Sequence, residues 1–278
     1  MMRRKVLTTA FAIGLAVNGL LLLSLIGISK ASNNSLPGLV MSDVVAGDYD
    51  LTILVPNSFG RKYHSKGVSI KRPFKISRFE ITIDQWNTCF EAGGCGHKAK
   101  QRAYEKGSHP VTRVSWFDAM AFTKWLSDKT GDNYRLPTEE EWAYAAFAGK
   151  DFTRATIDGL IKNRDMIRTA SMSRFRKTRP VGSNGGNDWE IFDMTGAVWE
   201  WTLTCWFSSD EENRRPWTIE QLSKLDLCPN RVVQGDERAH VPVFVDKVYT
   251  GGCGTGSPVD YIGFRVVKST RKSIFFGM

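Results

Sequence analysis

Several metal-binding patterns are missing from this 278-residue sequence. It has no Cys-x-x-Cys pair, and its four histidines stand apart from one another in the chain. A structural zinc site normally takes closely spaced cysteine or histidine ligands, so the sequence gives no support for one. Histidines that only the fold brings together remain an open alternative. The chain also has no internal repeat and no low-complexity tract, and a repeat architecture is therefore not expected.

The positive charge of the chain is less informative than it looks. The net charge is +9, but four of the positive residues flank an N-terminal segment that carries no acid: Arg3, Arg4, Lys5 and Lys30. Removing these four from +9 leaves +5, from Lys and Arg scattered among acids. No nucleic-acid-binding motif accompanies that charge, so a solvated basic surface is predicted and a nucleic-acid partner is not.

The N-terminus predicts export. Residues 1–5 are basic, and the uncharged run over 6–29 is long enough to cross a bilayer as a helix. Small residues at Ser29 and Ala31 resemble a signal-peptidase site, with cleavage before Ser32. Residues 1–31 are therefore either a cleaved signal peptide or an inner-membrane anchor. Both alternatives place the remaining chain outside the cytoplasm, as a periplasmic or otherwise extracytoplasmic domain.

The five cysteines lie beyond this leader, in a compartment where disulfides persist. Cys89 and Cys95 bracket a short Gly-containing stretch, and Cys205 and Cys228 would close a polar loop. Spacing alone does not fix the connectivity, because five cysteines can form two bridges in fifteen ways. Cys253 is then the odd one, either a buried inert thiol or a reactive or metal-binding one.

Nine tryptophans and an aromatic content of 12% predict an aromatic-rich, irregular core. Three capping boxes, at Thr82–Gln85, Ser115–Asp118 and Thr138–Glu141, predict three helix starts. The second helix is expected over 116–129, with Gly131 just past its end, and the third over 139–148. Strand-like segments are 44–55, 68–74, 241–249 and 262–267. This mixture predicts a loop-rich α+β domain over residues 45–268, between a linker at 32–44 and a tail at 269–278.

Four blocks in order carry a family resemblance. They cover residues 73–86, 110–119, 134–146 and 192–201, and they are followed by Gly251-Gly252 and Gly263-Phe264-Arg265. The third block, YRLPTEEEWAYAA, is the most distinctive. Together the blocks resemble the formylglycine-generating-enzyme, or sulfatase-modifying factor, family over about residues 45–268. The resemblance implies a compact, loop-rich fold related to C-type lectins.

The resemblance also implies a structural calcium site in the fourth block. Carried over to this sequence, Asp193 and Glu200 would supply side-chain oxygens, and Gly196 and Val198 backbone carbonyls. Calcium takes several hard oxygen ligands, so these residue types are suitable. The alternative is that Glu200 forms a cap or a salt bridge without metal. The family's other calcium site falls before residues 180–183, where the sequence diverges too far for ligands to be placed.

The sequence departs from the family where its active oxidases carry two cysteines, shortly after the Gly-Gly. That thiolate pair binds copper(I), which prefers soft sulfur ligands. Here the interval between Gly252 and Gly263 is short and holds a single cysteine, Cys253. Copper is therefore not expected as a cofactor. The iron-dependent sulfoxide-synthase branch needs a histidine cluster that the sequence does not show.

Three functions remain, and all follow from the resemblance. The favoured one is an accessory or regulatory binding protein of the cell envelope, since relatives without the cysteine pair include periplasmic regulators of type VI secretion kinases. The second is a periplasmic maturation enzyme with altered chemistry, like relatives in siderophore maturation. Its weak catalytic candidates line the shortened loop: Cys253, Ser257, Asp260 and Tyr261. The third is a divergent oxidase that acts on a sulfatase.

Overall fold

Three helices and ten strands are present in the part of the chain that the computed structural model describes. That part comprises residues 35–57, 60–150, 177–194, 198–205, 230–235, 252–254, 256, 258 and 260–269, with the backbone alone for 51–57, 60–66 and 252–254. The elements in chain order are β1 (Met41–Val44), β2 (Gly47–Asn57), β3 (Gly60–Ile70), β4 (Phe74–Ser77), α1 (Ile83–Glu91), α2 (Trp116–Thr130), β5 (Asn133–Arg135), α3 (Glu139–Ala146), β6 (Trp199–Cys205), β7 (Asn230–Gln234), β8 (Gly252–Gly254), β9 (Ile262–Gly263) and β10 (Val267–Ser269).

The helices begin where their capping boxes predict. Thr82, Ser115 and Thr138 each accept a hydrogen bond from the backbone N–H three residues on, and each box is reciprocal. Helix α2 ends at Thr130 and is followed by Gly131, whose φ of 76° suits a residue without a Cβ. Helix α3 ends at Ala146, two residues before the predicted end at 148, because the chain turns into the left-handed region at Ala148 and Gly149.

The C-terminal strands connect two four-stranded sheets. The first sheet is antiparallel and has the order β1-β4-β10-β5, while the second has the order β8-β7-β6-β9 with β9 parallel to β6. Strands β2 and β3 form a separate hairpin. Because β9 belongs to one sheet and β10 to the other, residues 264–266 cross from sheet to sheet through the core.

The core is aromatic, as the composition predicts. Trp86 lies 6.0 Å from Phe122 and 6.2 Å from Phe264 between ring centroids, and all three side chains are buried. A buried indole N–H needs an acceptor. Four fully buried tryptophans meet that need with the following acceptors: Trp86 with His97 O, Trp116 with Thr202 O, Trp142 with Glu200 Oε2 and Trp201 with Val114 O.

The structure corrects the predicted domain limits. Leu36 is 2% exposed and Val44 1% exposed, and β1 pairs with β4, so 35–44 belong to the domain and not to a linker. At the other end, β10 reaches Ser269, one residue beyond the predicted domain limit. The predicted strand over 68–74 is interrupted at 71–73, because the positively charged Lys71 and Arg72 are exposed and Pro73 lacks an N–H.

Three expectations concern residues that the structure does not describe. Within the described residues, no helix is long and apolar enough to span a bilayer. The predicted leader at 1–31 and the predicted strand at 241–249 lie outside the described residues, as does the tail beyond residue 269.

The capping role of Thr82 at the start of α1 can be tested by mutation. Replacing Thr82 with Ala leaves the N–H of Gln85 without its side-chain acceptor, and we expect a loss of about 1 kcal/mol in the free energy of unfolding. The matched control is Thr88→Ala in the same helix, which removes a hydroxyl that only donates back to Asp84 O and should change stability by a few tenths of a kcal/mol at most. Urea unfolding measures both. Equal effects would contradict the capping role.

Candidate functional site

A group of buried charges lies where the two sheets meet. We call it the carboxylate centre, and it consists of Glu80, Asp193, Glu200 and Arg265. Glu80 precedes α1, Asp193 lies in a loop, Glu200 is in β6, and Arg265 stands on the crossing between β9 and β10. All four side chains are almost fully buried. Three carboxylates against one guanidinium would give this centre a net charge of −2 if every group were ionised.

Glu200 and Arg265 form a bidentate ion pair with no exposed surface. Arg265 Nε donates to Oε2 at 2.6 Å, and Nη2 donates to Oε1 at 2.7 Å. The remaining guanidinium N–H groups donate to the backbone oxygens of Ser77, Arg78 and Phe192. The pair is therefore fully hydrogen-bonded, which is the condition under which a buried ion pair is tolerated.

Asp193 is also committed to partners in the protein. Its two carboxylate oxygens accept the backbone N–H groups of Gly182 and, at 2.8 Å, of Asn184. The residue has a φ of 60°, a conformation that Asp tolerates better than most residues. Asp193 therefore fixes the turn at 182–184 against the centre.

Glu80 is the exception in this centre. Both of its carboxylate oxygens are buried, and neither has a hydrogen-bond partner among the described residues. Burial raises the pKa of Glu80 well above its ordinary value; Glu200 raises it further, Arg265 lowers it and Asp193 raises it. A carboxyl group without partners in such a place is stable only in its neutral form or with a cation beside it.

Two of the predicted calcium ligands, Asp193 and Glu200, have carboxylate oxygens that already accept hydrogen bonds from the protein. Glu200 accepts hydrogen bonds from three donors. Trp142 Nε1 donates to Oε2 at 2.7 Å, in addition to the two N–H groups of Arg265. Among the described residues, no group of three His, Cys, Asp or Glu side chains has an arrangement that could hold a metal ion. Gly196 lies outside the described residues, and Val198 is a buried residue just before β6. The calcium site therefore stays a prediction, and binding calcium would require Asp193 and Glu200 to share oxygens that now accept hydrogen bonds from the protein.

A second polar group, the arginine cluster, contacts the described end of the shortened loop at Asp260. It consists of Arg102, Arg113 and Asp260 with the buried Glu105 beneath them. Asp260 Oδ1 accepts from Arg113 Nε at 2.7 Å, and Oδ2 accepts from Arg102 Nη2 at 3.0 Å. The Arg113 hydrogen bond is the main reason that the pKa of Asp260 is lowered.

Two of the four catalytic candidates, Asp260 and Tyr261, have described side chains, and both are engaged in other contacts. Asp260 is held by two arginines, and Tyr261 is half exposed with its ring 4.9 Å from that of Trp199. Cys253 lies in β8 opposite Arg231, with only its backbone described, and Ser257 is outside the described residues. A carboxylate with a lowered pKa is a weak base and carries no proton to donate near neutral pH. Asp260 therefore serves as the negatively charged partner of the two arginines and is poorly suited to proton transfer.

A buried hydrogen-bond chain lies beside the arginine cluster. Thr178 Oγ1 lies 3.3 Å from Glu105 Oε1 and 2.9 Å from His109 Nδ1. If Glu105 is ionised it can only accept, so Thr178 donates to it and His109 Nδ1 donates to Thr178. In this order, Thr178 links His109 to Glu105.

The cysteine predictions are partly confirmed. Cys89 and Cys95 form a disulfide that ties the end of α1 to the following turn. Cys205 is disulfide-bonded as well. Its predicted partner, Cys228, lies outside the described residues, so that pairing stays a prediction.

Most of the polar residues in the carboxylate centre and the arginine cluster were not predicted from the sequence. Glu80 and Arg265 stood within the family blocks without a role, although a single charge between apolar neighbours, as in Phe79-Glu80-Ile81, is a recognisable sign of a buried ionic group. Arg102 and Arg113 looked like two members of a scattered basic surface. No local pattern connects them to Asp260, about 150 positions later in the chain.

A comparison of the chain with known protein families found a match. The family described as sulfatase-modifying factor enzyme 1-like domain matches residues 28–270. The chain belongs to this family.

Individual relatives match shorter stretches. The chaperone protein LppX of Paenibacillus barcinonensis is 26% identical over 209 residues, which are 57% of this chain and 71% of that protein. The formylglycine-generating enzyme of Mycobacterium tuberculosis is 36% identical over 110 residues, 36% of this chain and 35% of that enzyme. The inactive C-alpha-formylglycine-generating enzyme 2 of Mus musculus is 31% identical over 174 residues, 59% of this chain and 51% of that protein. The chain thus spans between a third and half of the two formylglycine-generating-enzyme relatives.

Solved structures confirm the fold. PvdO from Pseudomonas aeruginosa superimposes with a TM-score of 0.59 at 24% identity, over 82% of this chain and 94% of that one. CarF superimposes with a TM-score of 0.57 at 21% identity, over 85% of this chain and all of that one. The predicted α+β, loop-rich fold of the formylglycine-generating-enzyme family is therefore confirmed.

The Glu200–Arg265 pair yields a test that separates ion pairing from metal binding. We expect Glu200→Gln to lower the free energy of unfolding by about 3–5 kcal/mol, because Arg265 is left buried without its counter-charge. The loss should be the same in EDTA and in calcium. A role for Glu200 in calcium binding alone would make the loss disappear in EDTA. The control is Glu190→Gln, which breaks an exposed pair with Arg78 and should cost at most about 1 kcal/mol.

Glu80 predicts a pH dependence of stability. The folded protein keeps the Glu80 proton to a higher pH than the unfolded chain, whose carboxyl has the ordinary value of 4.5, so stability is lost as pH rises above that value. We expect Glu80→Gln to remove this part of the loss and to be at least as stable as the wild type at pH 8. Urea unfolding from pH 5 to pH 8 in EDTA measures it, with the exposed Glu91→Gln as control. Parallel profiles for the wild type and Glu80→Gln would contradict a neutral Glu80.

Proposed function

We propose that this chain is an extracytoplasmic member of the sulfatase-modifying factor family that works as an envelope accessory or regulatory binding protein and not as a copper oxidase. The proposal rests on the number of cysteines that are not used in disulfides. Of five cysteines, Cys89 and Cys95 bind each other and Cys205 is in a second disulfide. If that second bond lies within the chain, a single thiol remains. A copper(I) site of the oxidase type needs two thiolates.

The shortened loop supports a binding role over an enzyme with altered chemistry. Its described acid, Asp260, is ionised and shared between two arginines, so it is poorly suited to proton transfer. Tyr261 packs edge-on against Trp199. The described end of this segment, at 260–261, is therefore attached to the domain by ion pairs and a ring contact, which suits a recognition surface better than a site of proton transfer.

The relatives favour the same proposal. One formylglycine-generating-enzyme relative is described as inactive, and another matching protein is described as a chaperone. Disulfides are typical of proteins outside the cytoplasm. An exported scaffold that binds a protein partner agrees with each of these observations.

The proposal is tested on the purified extracytoplasmic domain. Thiol titration in denaturant without reductant should find one free thiol per chain, and a cysteine-containing sulfatase peptide should give no copper-dependent oxygen uptake. The formylglycine-generating enzyme of Mycobacterium tuberculosis serves as the control for the assay. Crosslinking in the intact envelope should then recover a specific protein partner. Two thiolates bound to copper in the native protein, seen by X-ray absorption, would overturn the assignment.

A further inference from the structure

The two arginines of the arginine cluster are held in place independently of Asp260. Arg113 Nη1 donates to Lys100 O and lies 3.5 Å from Glu105 Oε2. Arg102 Nη1 donates to Tyr104 Oη at 3.1 Å, and its backbone N–H donates to Glu105 Oε2 at 2.6 Å. Removing the Asp260 carboxylate would therefore leave both guanidinium groups close to their present positions.

The inner side of the cluster has unused hydrogen-bonding capacity. Arg113 Nη2 is buried and has no hydrogen-bond partner among the described residues. The Arg113 side chain is only 14% exposed, and its backbone has a φ of 58°, which is uncommon for a residue with a long side chain. Backbone strain that holds an incompletely paired cation in place is a feature of ligand-binding sites.

The charge around the cluster favours an anion. Lys177 adds a third cation, since its Nζ lies 5.4 Å from the ring of Tyr104, the residue that Arg102 contacts. Glu105 is buried and is already used by Arg102 and Thr178. Asp260 is therefore the one described solvent-exposed carboxylate paired with Arg102 and Arg113.

Asp260 shows which anion the site accommodates. Each of its oxygens accepts one N–H from a different arginine, so the site matches the two-oxygen edge of a carboxylate. The Asp260 side chain is 57% exposed, and an ion pair at such exposure is weak enough to exchange with an external carboxylate.

We propose that Arg102 and Arg113 form a carboxylate-binding site, which Asp260 occupies in the free protein and which an acidic side chain or C-terminus of a partner protein occupies in the complex. This inference rests on the proposed binding function and names the chemistry that the partner presents. Asp260 then competes with the partner and lowers its affinity until a matching carboxylate arrives.

Acetate tests the site without knowledge of the partner. In Asp260→Ala, acetate should shift the Arg113 Nε–H resonance saturably and raise Tm, with an apparent Kd at least tenfold lower than for the wild type. Arg113→Lys in the Asp260→Ala background should abolish the effect, because lysine lacks the planar fork of N–H donors. Acetamide, which has the same shape without the charge, should not bind.

The matched control is Asp43→Ala, which removes an exposed acid paired with a single lysine and creates no arginine site. Acetate that acts equally on the wild type, Asp260→Ala and Asp43→Ala would overturn the inference. Inorganic phosphate that binds as tightly as acetate would overturn the assignment to carboxylates. If Asp260→Ala does not fold, Asp260→Asn releases one arginine and should give an intermediate affinity for acetate; an affinity equal to the wild type would count against the site.

Two further outcomes separate this inference from the proposed function. If acetate binds as expected but no partner is crosslinked, the carboxylate site is supported and the proposed binding function is contradicted. A partner that crosslinks equally to the wild type and to Arg102→Gln/Arg113→Gln supports the binding function and overturns the use of this site for the partner.

Discussion

The buried pair of Glu200 and Arg265 is the contact on which both sheets depend. Glu200 belongs to one sheet, and Arg265 stands where the chain leaves that sheet for the other. Their two short hydrogen bonds fix this crossing, and the other N–H groups of Arg265 reach backbone oxygens that follow β4 and precede Asp193. A charge pair in such a place is costly to form, but it defines one arrangement of the chain, because any shift would leave a buried ion unpaired.

The carboxylate centre extends this constraint to the loops. Asp193 holds the turn at 182–184 through two backbone N–H groups, and Trp142 attaches α3 to Glu200. With short helices and strands, regular hydrogen bonding alone connects few segments of this fold. Side-chain bonds to backbone groups therefore order the loops, and a loop-rich domain can still have a close-packed aromatic core.

The features that the sequence predicted correctly are local ones. The capping boxes at Thr82, Ser115 and Thr138 need only residues three apart, and the Cys89–Cys95 bridge closes a short turn. The linker at 32–44 was misassigned, because Leu36 and β1 are buried by strands that lie far away in the chain. The sequence likewise did not predict that Glu200 pairs with Arg265, since the two residues are 65 positions apart. Long-range pairing depends on the sheet order, which periodicity does not encode.

The proposed function assigns recognition, in place of redox chemistry, to the shortened loop and its surroundings. The resemblance places the two thiolates of the family's oxidases in a segment that is shortened here, and Cys253 in β8 stands ahead of those positions. The end of the loop is attached through Asp260 to Arg102 and Arg113. Thiolates bind a soft metal, whereas a pair of arginines binds hard oxygen anions. Under the proposed carboxylate-binding role, this side of the domain accepts a hard oxygen anion where the family's oxidases hold a soft metal.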